Sequence, residues 1–160
     1  MVLQLCVYRL RMYPVWPIIK VERLIAALQK PQPDTEMFAL AYAVAAATTA
    51  QIKKNTANQP GAVTAQTMEA YCQRARAKGG RGAPPNVNNL RVAFFLHAYH
   101  ENQVPGGIQS ILYLREAMTI SQMLGMHHES YYAKVPVAEQ QIRRRIFWLL
   151  FITERSVPLK

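Results

Sequence analysis

The placement of glycine and proline most constrains what this chain can fold into. Pro17, the Pro31 and Pro33 pair, Pro60-Gly61, the Gly79-Gly80-Arg81-Gly82-Ala83-Pro84-Pro85 run and Gly107 cut the sequence into segments. Within those segments apolar residues recur three or four positions apart, with almost no alternation of period two. A half-buried strand needs the alternation and a helix face needs the wider spacing, so the sequence predicts an all-α fold.

About six helices are expected. The first runs from Pro17, favourable at a first helical position, to Gln29, with Ile18, Val21, Leu24, Ile25 and Leu28 on one face. The second starts at Asp34, whose carboxylate can cap free N–H groups, and reaches Ile52 through an alanine-rich middle that permits close packing. Residues 53–63 read as a polar loop and Thr64 as the cap of a third helix over Ala65–Lys78. Three glycines and two prolines make Gly79–Pro85 a flexible loop. The remaining helices are expected over Val87–His100, Gly107–Leu124 and Pro136–Glu154, with Gly125 placed to take the left-handed terminating conformation.

A length of 160 residues suits one domain. Nineteen Lys and Arg against nine Asp and Glu give a net charge of +10, which raises the alternative of a direct nucleic-acid-binding module. The excess is spread evenly, +6 over residues 1–80 and +4 over residues 81–160. Its one cluster, Arg143-Arg144-Arg145, is flanked by the apolar run Ile146–Ile152, whereas a DNA-reading helix is basic and exposed. No apolar run approaches the roughly 20 residues of a bilayer span, so no membrane partner is expected. The N-terminus is interrupted by Arg9 and Arg11 and does not read as a signal peptide. Cys6 and Cys72 are too few for a four-ligand zinc site or a disulfide framework, which points to a reduced intracellular compartment.

Chemistry-bearing constellations are sparse. His97, His100 and Glu101 could share a helix face as a metal site, but their order differs from the zinc-protease motifs, and helix packing is the better reading. His127 and His128 follow Gly125, where they favour the negative end of the preceding helix. Neither cysteine has a neighbouring His, and no phosphate loop, dinucleotide fingerprint or Gly-x-Ser-x-Gly occurs. No catalytic, cofactor or metal residues are therefore assigned. The last helix carries Ile142, Ile146, Leu149, Leu150 and Thr153 on one face, and Trp148 and Phe151 widen it, as for a mostly buried, central element. Glu139 precedes Arg143 by four residues, in the favourable order for an ion pair, and Glu154 or Glu116 would serve the other guanidiniums.

Five segments in order carry a resemblance: Tyr8–Pro17 (YRLRMYPVWP), Tyr71–Arg76 (YCQRAR), Phe94–Tyr99 (FFLHAY), Tyr113–His127 (YLREAMTISQMLGMH) and Glu139–Arg155 (EQQIRRRIFWLLFITER). Together they resemble the middle-homology regulatory region of fungal zinc-cluster transcription factors, in particular amylolytic, maltose and xylanolytic sugar-utilisation activators. The resemblance implies a helical, non-catalytic region in a nuclear RNA polymerase II transcription factor, controlling carbohydrate utilisation by effector-dependent restraint of activation. The partners it implies are other segments of the parent factor, transcriptional co-regulators and a small-molecule effector. Zinc and DNA belong to the family's N-terminal six-cysteine cluster, which two cysteines cannot build. Residues 1–160 are accordingly expected to be the N-terminal portion of a larger regulatory domain, a fragment or stand-alone derivative. Its structural or interaction candidates are Arg115, Glu116, Arg143, Arg144, Arg145, Trp148, Glu154 and Arg155.

Overall fold

The computed structural model describes residues 1–32, 34–53, 64–79 and 83–156, and among these every regular element is helical. Helix α1 (Val2–Val7) runs directly into a π-helical turn at Tyr8–Met12. Then follow α2 (Val21–Leu28), α3 (Thr35–Lys53), α4 (Ala65–Lys78), α5 (Val87–Gln103), α6 (Ile108–Met123), α7 (Glu129–Ala133) and α8 (Val137–Ser156). The all-α expectation is met, with eight α-helices among the described residues instead of six.

Local chemistry explains most boundaries. Asp34 Oδ1 accepts from the Glu36 N–H at 3.0 Å at the start of α3, and Thr64 Oγ1 accepts from the Thr67 N–H at 3.2 Å at the start of α4. Asn86 opens α5 with a reciprocal capping box to Asn89. Gly125, at φ +74°, closes the end of α6. Helix α2 begins at Val21 and not at Pro17, because the preceding segment is extended at Lys20 and buries both Ile18 and Ile19. The elements that sequence spacing missed, α1, the π-turn and α7, are five or six residues long, too short for a helical period to register. Residues 54–63 and 80–82 of the expected loops lie outside the described residues.

The core is organised around α3 and α5. Helix α3 packs on both α4 and α5, and α5 in turn packs on α6 through a hairpin closed at Val104–Gly107. Ala39, Ala41, Ala43, Ala45, Ala46, Ala47 and Ala50 of α3 are all buried, and side chains this small let neighbouring helices approach from several sides. Every residue of α5 from Val92 to Tyr99 is buried. The Tyr8–Pro17 segment plugs one end of this layer. Tyr8 is fully buried and donates to the Trp16 carbonyl, and Trp16 meets Phe94 and Phe95 edge-on at 5.9 and 6.1 Å.

The expectation that α8 is the central packing element is corrected. It buries a single stripe, Ile142, Ile146 and Leu150, while Trp148 is 58% exposed and Ile152 62% exposed. The apolar run predicts a mostly buried helix, but neighbours among the described residues cover only one face. Trp148→Ala will therefore change stability by no more than about 0.5 kcal/mol in a urea titration, the usual range for surface positions.

Candidate functional site

Four helices start around one concavity. Lys20 caps α2, Glu36 lies in the first turn of α3, Asn86, Val87 and Asn88 begin α5, and Glu139 lies in the first turn of α8. Together they line a cleft of about 430 Å³, whose apolar wall includes Ile19, Leu24, Met37 and Leu40. Helix N-termini expose unpaired N–H groups and carry partial positive charge, so the cleft is electropositive before any side chain is counted. The end of α6 at Leu124 and Tyr131 of α7 complete the lining.

The side chains reinforce that sign. Four cations surround the Glu139 carboxylate: Arg23 at 2.7 Å, Arg91 at 3.6 Å, Lys20 at 3.7 Å and Arg143 at 4.0 Å. Only Arg23 is within hydrogen-bond distance of it. Lys20 donates instead to the Ala138 carbonyl at 2.8 Å, Arg91 to Asn88 Oδ1 at 3.0 Å and Arg143 to the Tyr131 hydroxyl at 2.7 Å. The Nε atoms of Arg91 and Arg143 are buried and have no acceptor among the described residues. Burial pushes the Arg91 guanidinium below its ordinary pKa, and the neighbouring Glu139 carboxylate opposes that shift.

The profile of the fungal specific transcription factor domain matches residues 5–159. The chain belongs to this family. Similar proteins include the probable sucrose utilization protein SUC1 of Candida albicans, 34% identical over 92% of this chain and 30% of that protein. The maltose fermentation regulatory proteins MAL13 and MAL63 of Saccharomyces cerevisiae are 24% and 23% identical, over 92% and 96% of this chain and 31% and 33% of theirs. The chain thus spans about a third of the length of these curated relatives. No solved structure matches it significantly.

Of the eight structural or interaction candidates, this fungal specific transcription factor domain brings only Arg143 into the cleft, together with Glu139, its expected ion-pair partner. Arg144 forms a bidentate pair with Glu129 and lies over the Tyr132 ring at 4.1 Å, tying α8 to α7. Arg115 pairs with Glu154 at 2.6 Å across α6 and α8. Glu116 pairs with Arg76 of α4, not with the arginine cluster. Arg155 covers the Phe151 ring at 4.0 Å one turn back on its own helix. Arg145 is exposed and has no ion-pair partner among the described residues. Lys20, Arg23 and Arg91 escaped sequence reading because nothing in linear spacing marks residues that converge from separate helices. The Glu139 and Arg143 pair was visible as an i,i+4 pattern.

The histidine cluster diverges. His97 Nδ1 lies 3.0 Å from the Ser110 carbonyl and 2.9 Å from Ser110 Oγ, while that hydroxyl donates to Glu101. Nδ1 therefore carries the proton shared with Ser110. Glu101 also accepts from the Gly106 N–H at 3.0 Å, so the three residues close the α5–α6 hairpin. His100 instead stacks on Tyr113 at 5.3 Å. No group suited to a metal occurs among the described residues. Burial pushes both histidines below their ordinary pKa. As pH falls, the unfolded chain takes up these protons before the folded one, so their contribution to stability is intact above about pH 6.5 and shrinks below it. Unfolding midpoints will fall between pH 7 and 5, and a His97→Gln, His100→Gln double variant will flatten that slope. Cys72 is buried, and burial pushes its thiol up to about 12, which removes it as a nucleophile at neutral pH.

Proposed function

We propose that this domain is a regulatory region of a nuclear fungal transcription factor governing carbohydrate utilisation, without catalytic activity, that restrains or transmits activation through contacts with other segments of the factor and with co-regulators. The observation that carries this reading is the match over residues 5–159, supported by relatives named for sucrose utilization and maltose fermentation. DNA binding and zinc would belong to a six-cysteine cluster outside a chain that has only two cysteines. The structure adds an electropositive cleft and helix-to-helix ion pairs, and the Ser110 hydroxyl that meets His97 and Glu101 is buried in the closure of the α5–α6 hairpin.

The charge geometry gives no support to the direct nucleic-acid-binding alternative. Arg9, Arg23, Arg76, Arg115, Arg143 and Arg144 all lie within ion-pair distance of a carboxylate, and the cations that converge do so inside a cleft. The test places the 160-residue chain between a heterologous DNA-binding head and a strong activation segment in yeast. Reporter output should fall relative to an inert helical insert of the same length and recover on a change of sugar. Output equal to that of the inert insert on every carbon source would refute the reading.

A further inference from the structure

The cleft holds more positive charge than its own carboxylates balance. Four cations converge on Glu139, and the other carboxylate in the lining, Glu36, already accepts from Asn86. Such an excess is costly where charges leave water. The side chain of Arg91 is 11% exposed, that of Arg143 24% and that of Lys20 32%. Three of the four cations stand beyond hydrogen-bond distance of Glu139, and two guanidinium Nε donors have no acceptor. The N-termini of α2, α3, α5 and α8 add positive potential to the same space.

We propose that this cleft binds a small organic phosphate monoester, whose phosphoryl group is held by Lys20, Arg23, Arg91 and Arg143. Three properties select this class. The cations come from the start of α2, from α5 and from α8, and donors approaching from three directions suit a tetrahedral oxyanion better than a planar carboxylate. A dianion matches the local excess. The volume of about 430 Å³ exceeds what a free phosphate fills and lies within the range of small-molecule sites, with an apolar wall for a carbon body and Asn86, Asn88 and Tyr131 for its hydroxyls. The site supplies the regulatory reading with a ligand class, but it stands on geometry that does not depend on that reading.

Calorimetric titration of the full chain at fixed ionic strength tests it. The probes are glucose 6-phosphate, glycerol 3-phosphate, unphosphorylated glucose, inorganic phosphate and a phosphoserine peptide. The monoesters should bind saturably, about tenfold or more tighter than glucose, as expected when charge-assisted hydrogen bonds are lost. Arg23→Gln, at a side chain 64% exposed and so compatible with folding, should weaken monoester binding about tenfold, and Glu139→Gln should tighten it, because a competing anion has gone. Arg145→Gln, outside the cleft, should change nothing. Inorganic phosphate or the phosphoserine peptide binding as tightly as the monoesters would overturn the proposal. So would weak, unsaturable binding indifferent to Arg23→Gln. Monoester binding that vanishes in Arg23→Gln while the reporter remains restrained by the insert would separate the site from the regulatory role.

Discussion

Phe95→Ala will destabilise the domain by about 3–5 kcal/mol, the range for deleting a large aromatic from a packed core. Phe95 is fully buried in α5, and three rings meet it nearly edge-on: Phe94 at 5.5 Å, Tyr8 at 5.7 Å and Trp16 at 6.1 Å. Two of these partners come from the N-terminal Tyr8–Pro17 segment, so the substitution opens a cavity where that segment docks on α5. Neighbours held by their own packing relax only partly into such a space, which is why the cavity adds to the lost transfer free energy. In a domain of this size the loss corresponds to a midpoint lower by roughly 6–20 °C. Thermal unfolding followed by circular dichroism checks it, with Trp148→Ala as the exposed aromatic control. A loss below about 1 kcal/mol would mean that the Tyr8–Pro17 segment does not lean on Phe95.

The contrast between these two aromatics shows what the sequence could and could not convey. Both lie in apolar runs that look alike, Phe94–Tyr99 and Ile146–Ile152. Periodicity reports that a face is apolar, but burial depends on which other helices arrive, and that is decided by the whole chain. Helix α5 is enclosed by α3 and α6, whereas α8 is covered on the Ile142, Ile146 and Leu150 side alone. Boundaries were legible where a side chain acts on its own backbone, as at Asp34, Thr64 and Gly125. The start of α2 was not, since Pro17 permits a helix locally while the chain stays non-helical to Lys20, with Ile18 and Ile19 both buried.

The same distinction applies to the site. Ion pairs within one helix can be read from spacing, and Glu139 with Arg143 is of that kind. Pairs between helices cannot, and the partners expected for the other guanidiniums of the arginine cluster, Glu154 or Glu116, pair with Arg115 and Arg76 instead. The cleft is legible only in three dimensions, because its charge arises from helix starts separated by as many as 119 residues of chain, Lys20 to Glu139. Its location is nevertheless a consequence of capping. Helix starts are where polar residues and free N–H groups gather, so any packing that brings several of them together produces a polar concavity with positive sign.

Glu139→Ala will cost about 2–3 kcal/mol, despite removing only one side chain from the edge of the core. Taking away one partner of a buried pair commonly costs 3–5 kcal/mol, because the charge left behind has lost its compensation. Here the remaining charges are the guanidiniums of Arg91 and Arg143, which are mostly buried, and the figure is reduced because Lys20 and Arg23 reach water and are screened. Arg23→Ala should in contrast cost less than about 1 kcal/mol, since its side chain is 64% exposed and Glu139 keeps three other cations. Urea denaturation of both variants at low and high salt separates packing from charge. Added salt should recover part of the Glu139→Ala loss by screening the repulsion among the remaining cations, whereas a loss from packing alone would be unchanged. A cost for Glu139→Ala no larger than that for Arg23→Ala would show that the carboxylate does not hold the four cations together.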